Sequence, residues 1–303
     1  MCMSSFSSFF RTPFGHHGDA TVSNTDNQTI NETQKDKSTA LSVYLLDRRI
    51  DCMSISSIVE AIHKACRENK KITVANYNIH SFYLSMQLPW YYEFLQSAEI
   101  ANCDSVGILK AIGYMGLDLP LDFRTSYTLL MPKVLESCNQ KGYSVFLLGG
   151  KPQCLEGAIN NLQIKYPRVN FAGHHGYFDK RDKFANQSAV EQINKFKPNV
   201  LIVGMGMPIQ EHCVQQHRHS LQVNIIMLGG AIIDRMAGIV PDCPHIISDA
   251  GLEWFYRFCR EPKRLAARYL LGNPAFALHI ALAMFNKMSL RVELTPKLEN
   301  FDL

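Results

Sequence analysis

The sequence predicts an α/β fold: a parallel sheet with helices on both faces, followed by a C-terminal helical appendage. Three observations predict it. From Leu41 onward, short apolar runs alternate with longer amphipathic stretches. Several of the runs end directly in glycine or asparagine. The alternation then gives way to a basic, aromatic run at Gly251–Leu270. Continuous apolar runs mark strands covered on both faces, and parallel strands need crossover helices, so these features belong to one architecture.

In chain order, residues 1–40 come first, rich in Ser, Thr, Asn, Asp and Gln and without a sustained apolar period. They are expected to be a disordered extension. The 41–250 segment is the expected α/β domain. Its strands are predicted at Ile72–Ala75, Ser144–Leu148, Asn170–Ala172, Val200–Val203 and Asn224–Leu228. Asn76, Gly149-Gly150, Gly204 and Gly229-Gly230 follow four of them. Helical periods follow at Gln153–Tyr166, Ser188–Phe196 and Gln210–His219. In such sheets ligands bind beyond the carboxyl ends of the strands, so the glycines there are the place to look.

Residues 251–303 are the expected appendage. Gly251–Leu270 interleaves Trp254, Phe255, Tyr256, Phe258 and Tyr269 with arginines. At about 100° per residue, Arg257, Arg260, Arg264 and Arg268 share one helix face. Pro262 must kink or restart that helix, which predicts two short helices. Asn273 and Pro274 read as the N-cap and first residue of a further helix, Pro274–Phe285. Gly251–Lys287 holds six Lys/Arg and two acidic residues, a charge of +4 that equals the net charge of the whole chain. One reading packs the aromatics on the domain and leaves the arginines to solvent. The other is a membrane-surface element, each basic residue near an anionic leaflet contributing roughly 1 kcal/mol.

No segment reaches the ~20 apolar residues that span a bilayer. No apolar signal segment with a small-residue cleavage site is visible at the N-terminus. The nine cysteines are odd in number and form no CxxC pair, a pattern that suits reduced thiols. The expected location is therefore cytoplasmic, peripheral on the inner face of the cell membrane.

The densest polar cluster is VGMGMPIQE at 203–211. Gly204 and Gly206 let the backbone approach a ligand, Pro208 opens a helix, and that helix N-terminus suits a phosphate or sugar oxygen. Isoleucine at 209 breaks GxGxxG, which argues against a dinucleotide-dependent enzyme. Gly149, Gly150 and Lys151 form a second such turn, with Lys151 able to neutralise a phosphate. His174, His175, Gly176 and Tyr177 form a third tip. Adjacent histidines in an extended segment point to opposite sides, and no carboxylate partner is nearby, so no metal site is expected there. Asp104 is either a general base or a turn carboxylate. Asp234 either holds a sugar hydroxyl or pairs with a base. No DxD pair is present to hold a divalent cation.

Taken in order, VANYNIH (74–80), the Asp104 turn, VFLLGGKP (145–152), HHGYF (174–178), KPNVLIVGMGMPIQE (197–211), GGAIIDRMAG (229–238) and the 251–270 run resemble the WecG/TagA/CpsF family of bacterial glycosyltransferases, glycosyltransferase family 26. The resemblance spans roughly Leu41–Phe285. It implies a Rossmann-like domain with a membrane-engaging appendage. It also implies inverting transfer of a sugar, N-acetylmannosamine or a related hexose or uronic acid, from a UDP-sugar to a polyprenyl-diphosphate-linked acceptor, as in cell-surface polysaccharide synthesis. No cofactor or metal is expected beyond the UDP-sugar co-substrate, no nucleic acid is a partner, and a homo-oligomer is possible.

Carried over by position, Asp104 matches the base. Asn76 matches a substrate-pocket position, Gly204, Gly206, Gln210 and Glu211 the glycine turn and Gln-Glu pair, and Asp234 the aspartate of the late glycine motif; Gly149, Gly150, Lys151 and Tyr177 join them as substrate-binding candidates from the turns they form. Arg257, Arg260, Arg264 and Arg268 are the candidates for diphosphate or lipid head groups. The chain departs from the pattern at Val74 (usually Thr), at Ser105 (usually Gly), at Asp242-Cys243-Pro244, and around Arg124–Tyr127, where Gly-x-Asp is expected. Those departures motivate a rival expectation: a non-catalytic nucleotide-sugar-binding or scaffold protein of the same fold.

Overall fold

The computed structural model describes residues 40–176, 183–241 and 243–294; of residues 183–186 and His245 it describes the backbone alone. The expectation for residues 1–39, the candidate Tyr177, and Asp242 of the departure at 242–244 lie outside the described residues.

The described strands form one nine-stranded sheet. The strands are β1 (Leu41–Leu45), β2 (Arg48–Cys52), β3 (Ile72–Tyr77), β4 (Ile100–Cys103), β5 (Ser144–Gly149), β6 (Asn170–His174), β7 (Val200–Gly204), β8 (Ile225–Leu228) and β9 (Arg291–Leu294). Their order is β6-β5-β7-β8-β3-β4-β2-β1-β9. From β6 to β2 every pairing is parallel, and β1 is antiparallel to both its neighbours. The five expected strands are β3 and β5 to β8. Four of them run one or two residues past their expected ends, so Asn76, Gly149 and Gly204 sit within strand ends.

The β1–β2 hairpin was not legible in the sequence. Its two-residue turn is Leu46-Asp47, both left-handed at φ 49° and 62°, the backbone of a type I′ turn without the usual Asn-Gly. Edge strand β9 is short, and its charged residues Arg291 and Glu293 share an exposed ion pair.

Helices α1 (Ile55–Arg67), α5 (Tyr127–Lys141) and α6 (Pro152–Lys165) cover one sheet face. α1 shows how: Ser54 caps it by accepting the Ser57 N–H, and Ile58, Ala61, Ile62 and Ala65 bury one stripe. The remaining crossovers are α2 (Ile79–Gln87), α3 (Pro89–Ser97), α4 (Val106–Tyr114), α7 (Lys183–Phe196), α8 (Ile209–His217) and α9 (Ile232–Met236). Strands β2, β3 and β4 lie on one side of the β8/β3 junction, and β5, β6 and β7 on the other. That junction is the switch point where a crevice opens in such sheets.

The appendage contains α10 (His245–Asp249), α11 (Glu253–Arg260) and α12 (Pro262–Phe285). Pro262 separates α11 from α12, but the expectation of two short helices is corrected, because α12 has 24 residues. Asn273 and Pro274 do not start a helix; Pro274 lies inside α12. The reason is tertiary. Leu265, Tyr269, Gly272, Phe276, Ile280 and Ala283 bury one stripe that runs straight through the proline. Phe276 meets Phe82 of α2 edge to face, with centroids 5.1 Å apart. Leu270, whose carbonyl loses its helical partner at Pro274, is exposed, so water can supply the bond.

Candidate active site

A cavity of about 1240 Å³ opens at the carboxyl ends of the parallel strands. Asn76 of β3, Asp104 after β4, Gly150 after β5, Gly176 after β6, Gly204 and Gly206 at β7, and Gly229-Gly230 after β8 all line it. Arg257 of α11 and Arg264 and Arg268 of α12 close its far side.

Asp104 is held from two elements. Its Oδ2 accepts from the Asn78 side-chain amide at 3.2 Å and its Oδ1 from the Tyr127 N–H at 3.3 Å. Its own N–H donates to the Tyr77 carbonyl at 2.8 Å. Burial pushes its pKa up to about 6; the nearby Glu253 carboxylate adds to the rise, while Asn78, Tyr127 and Arg257 oppose it. A carboxylate poised there accepts a proton near neutral pH and gives it up readily.

Asn78 is the residue the sequence reading missed, having favoured Asn76. Asn78 caps α2: its Oδ1 accepts the His80 and Ser81 N–H groups while its N–H donates to Ser81 Oγ. Its remaining amide N–H is therefore aimed at Asp104. The visible signal was an asparagine three residues before a serine at a helix start. Asn76 also lines the cavity; its amide donates to the Leu228 carbonyl at 3.4 Å, and its buried Oδ1 has no protein partner.

The glycine turns permit backbone contact that no side chain would. A Cβ at Gly149, where φ is 145°, would lie 2.3 Å from the Gly204 carbonyl oxygen. Gly206 turns at φ 80°, and the Gly206 carbonyl accepts the Ile209 and Gln210 N–H groups that begin α8. Gln210 and Glu211 are buried behind this turn and do not line the cavity. Gln210 Oε1 accepts the Gly230 N–H at 3.0 Å and its amide donates to Glu211 at 2.9 Å, so the pair braces the turn after β8. Burial pushes the Glu211 carboxyl up to about 7.

Of the other candidates, Asp234 lines the cavity, and Lys151 is exposed at the start of α6, outside the lining. Arg260 is also outside. The chain turns at Glu261, so Arg260 leaves the arginine face and donates to the Tyr256 hydroxyl at 2.9 Å. Arg264 pairs with Glu261, Arg235 with Glu253 at 3.4 Å, and Arg268 lies over the Tyr269 ring at 5.5 Å. The His174 and His175 rings do not point apart as expected. The strand ends at His174, and the rings stack with centroids 4.8 Å apart.

The departures from the family pattern also find places. Val74 is buried in β3 and does not line the cavity. Ser105 caps α4 by accepting the Ile108 N–H. Arg124 binds Ser248 and Asp249, anchoring α10. Tyr127 donates its hydroxyl to the Val74 carbonyl at 2.9 Å and accepts the Leu228 N–H at 3.1 Å. It thus pairs the backbone where β3 and β8 part, beyond their last register pair Val74↔Met227.

Among the described residues, no three His, Cys, Asp or Glu side chains gather as a metal site. No described helix is long and apolar enough to cross a membrane.

The fold and this strand-end cavity define an α/β protein of the ligand-binding, doubly wound class. The sequence profile of the glycosyl transferase WecG/TagA/CpsF family matches residues 43–290. Three relatives from Staphylococcus aureus, strains MW2, NCTC 8325 and COL, are each 31% identical over 255 residues, covering 83% of this chain and 96% of theirs. Each is an N-acetylglucosaminyldiphosphoundecaprenol N-acetyl-beta-D-mannosaminyltransferase. The chain belongs to the WecG/TagA/CpsF glycosyltransferase family.

Proposed function

We propose that the protein is an inverting, metal-independent glycosyltransferase. It moves an N-acetylmannosamine-type sugar from a UDP-sugar to a polyprenyl-diphosphate-linked acceptor, at the inner surface of the membrane, in cell-surface polysaccharide synthesis. The observation that carries the reading is Asp104, a raised carboxylate in the same cavity as the strand-end glycine turns and three arginines. The relatives' substrates, a lipid-diphosphate acceptor and an N-acetylmannosaminyl group, supply the substrate class.

In this mechanism the acceptor hydroxyl oxygen attacks the anomeric carbon and its proton passes to Asp104. The bond from that carbon to the UDP oxygen breaks on the opposite face, and UDP leaves with the electron pair. Backbone N–H groups at the glycine turns, with Arg257, Arg264 and Arg268, meet the charge that grows on the diphosphate.

The exposed face of α12 supports membrane contact. Leu271, Leu278, Leu282 and Phe285 follow one another at spacings of seven, four and three, exposed at 63%, 59%, 43% and 83%. Arg264 and Leu271 of that face also border the cavity, so a prenyl tail lying along α12 would bring its diphosphate to the arginines.

The test is a screen of UDP-sugars for UDP release, with and without N-acetylglucosaminyl-diphosphoprenol, in buffer containing EDTA. Acceptor-dependent release that persists with EDTA and is lost in Asp104→Asn is the expected result. UDP binding without turnover of any UDP-sugar would favour a nucleotide-sugar-binding protein instead, and loss of activity on chelation would remove metal independence.

A further inference from the structure

Past Asp104 the cavity continues into a smaller chamber of about 220 Å³, bordered by Ser105, Trp254, Tyr269 and Asn273. Asp104, Asn78, His80, Glu253, Arg257 and Arg268 line both spaces, so the carboxylate stands at the passage between them. The larger space carries the glycine turns and helix starts that suit a nucleotide diphosphate. The smaller one sets the Trp254 and Tyr269 rings among polar and charged side chains, groups that can stack on and hydrogen-bond a compact polar ring.

We propose that His80 is a positioning residue for the acceptor: its Nε2–H donates a hydrogen bond to an acceptor-sugar oxygen beside the one that Asp104 deprotonates. The assignment rests on the transferase reading above. His80 is the second residue of α2, and its N–H is held by Asn78 Oδ1 at 3.0 Å. The Asn78 amide also holds Asp104 at 3.2 Å, so one side chain sets the positions of both groups. His80 Nδ1 is buried with no protein partner, as is Nε of the neighbouring Arg268. His80 lines both spaces, and with Nδ1 buried, Nε2 is assigned to the cavity.

The proton belongs on Nε2. A buried N–H at Nδ1 would have no acceptor, and the positive charge of Arg268 disfavours a second proton on the ring. Burial and Arg268 together hold the pKa down to about 4, so the ring is a neutral donor across the working pH range. The charged groups lining both spaces are Asp104 after β4, Glu253 and Arg257 on α11, and Arg268 on α12; Asp234 and Arg235 of α9 and Arg264 of α12 line the larger one, and Arg124 the smaller.

The test compares His80→Ala and His80→Gln with the wild type in steady-state transfer from a UDP-sugar to N-acetylglucosaminyl-diphosphoprenol. UDP affinity by calorimetry and melting temperature are measured alongside. The expected result for His80→Ala is a loss of about tenfold in kcat/KM for the acceptor, the value of one hydrogen bond, with UDP affinity and donor KM unchanged. His80→Gln, which keeps an amide donor, should recover most of it. Acceptor kcat/KM within twofold of the wild type in His80→Ala overturns the assignment. So does a loss shared by UDP affinity, donor KM or melting temperature, which would mark a donor-side or structural role. If the wild type transfers no sugar with any donor and acceptor pair, the transferase reading falls, and this assignment falls with it.

Discussion

Asp104 shows how a single side chain links stability to chemistry. Its carboxyl titrates at about 6 in the folded protein, above the range of a free aspartate, because burial penalises the charge. The acceptor kcat/KM should therefore rise with pH through about 6, and the pH–rate profile measures that limb. The stability sign is opposite. The folded state holds the Asp104 proton more tightly than the unfolded state, so this group's contribution is present at low pH and is lost as pH rises through about 6. Asp104→Asn should abolish transfer yet raise the melting temperature at pH 8, with the gain shrinking toward pH 4. A variant that melts lower than the wild type at pH 8 would contradict the burial argument. Tyr127→Phe tests the neighbouring join. It strands the Leu228 N–H and the Val74 carbonyl where the sheet parts, costing about 1–3 kcal/mol in denaturant unfolding. Of these residues Asp104 was legible in the sequence, since a carboxylate in a flexible turn after an apolar run is a visible signal. Asn78 and Tyr127 were not, because their roles depend on partners 26, 53 and 101 residues away.

At the scale of elements, the grammar of an apolar run ending in glycine or asparagine located β3, β5, β7 and β8 because those strands are buried on both faces and read as unbroken apolar runs. β1 and β2 escaped it. Their hairpin turns at Leu46-Asp47, which lacks the glycine of the usual two-residue hairpin signal, and Arg48-Arg49 opens the second strand. α12 is the clearest failure of local reasoning. Asn-Pro is a strong start signal, yet the buried stripe from Leu265 to Ala283 overrides it. A proline inside a helix costs about 3 kcal/mol. Pro274→Ala should restore the N–H to the Leu270 carbonyl and raise the melting temperature of the full chain. If residue 274 instead began a separate helix, the same change would lower it.

For the whole molecule, the sheet brings six strand ends to one rim, and the appendage carries its arginines to that rim from residues 257–268. The apolar face of α12 should make membrane binding part hydrophobic and part electrostatic. Binding to anionic vesicles, followed by flotation, should weaken as salt rises, since the Debye length shrinks from ≈ 10 Å at 0.1 M to about 3 Å at 1 M. Leu278→Glu with Phe285→Glu in the full chain should abolish it while leaving UDP affinity unchanged. Unaltered flotation of that double variant would exclude the α12 face as the contact. The basic, aromatic run at 251–270 thus divides its labour: Arg257, Arg264 and Arg268 border the cavity, and Arg260 faces away.

The sequence by itself determined the α/β class, the strand-end glycines, the candidate base and the arginine-rich appendage, because each is written in local composition and short-range period. Only the tertiary structure decided which asparagine holds Asp104, that Gln210 and Glu211 brace rather than line the cavity, that α12 runs through its proline, and that His80 lines the same space as the carboxylate. Those outcomes depend on burial and on contacts between distant segments. A hydrogen bond across the sheet, or a buried stripe meeting another helix, has no signature in the residues on either side of it.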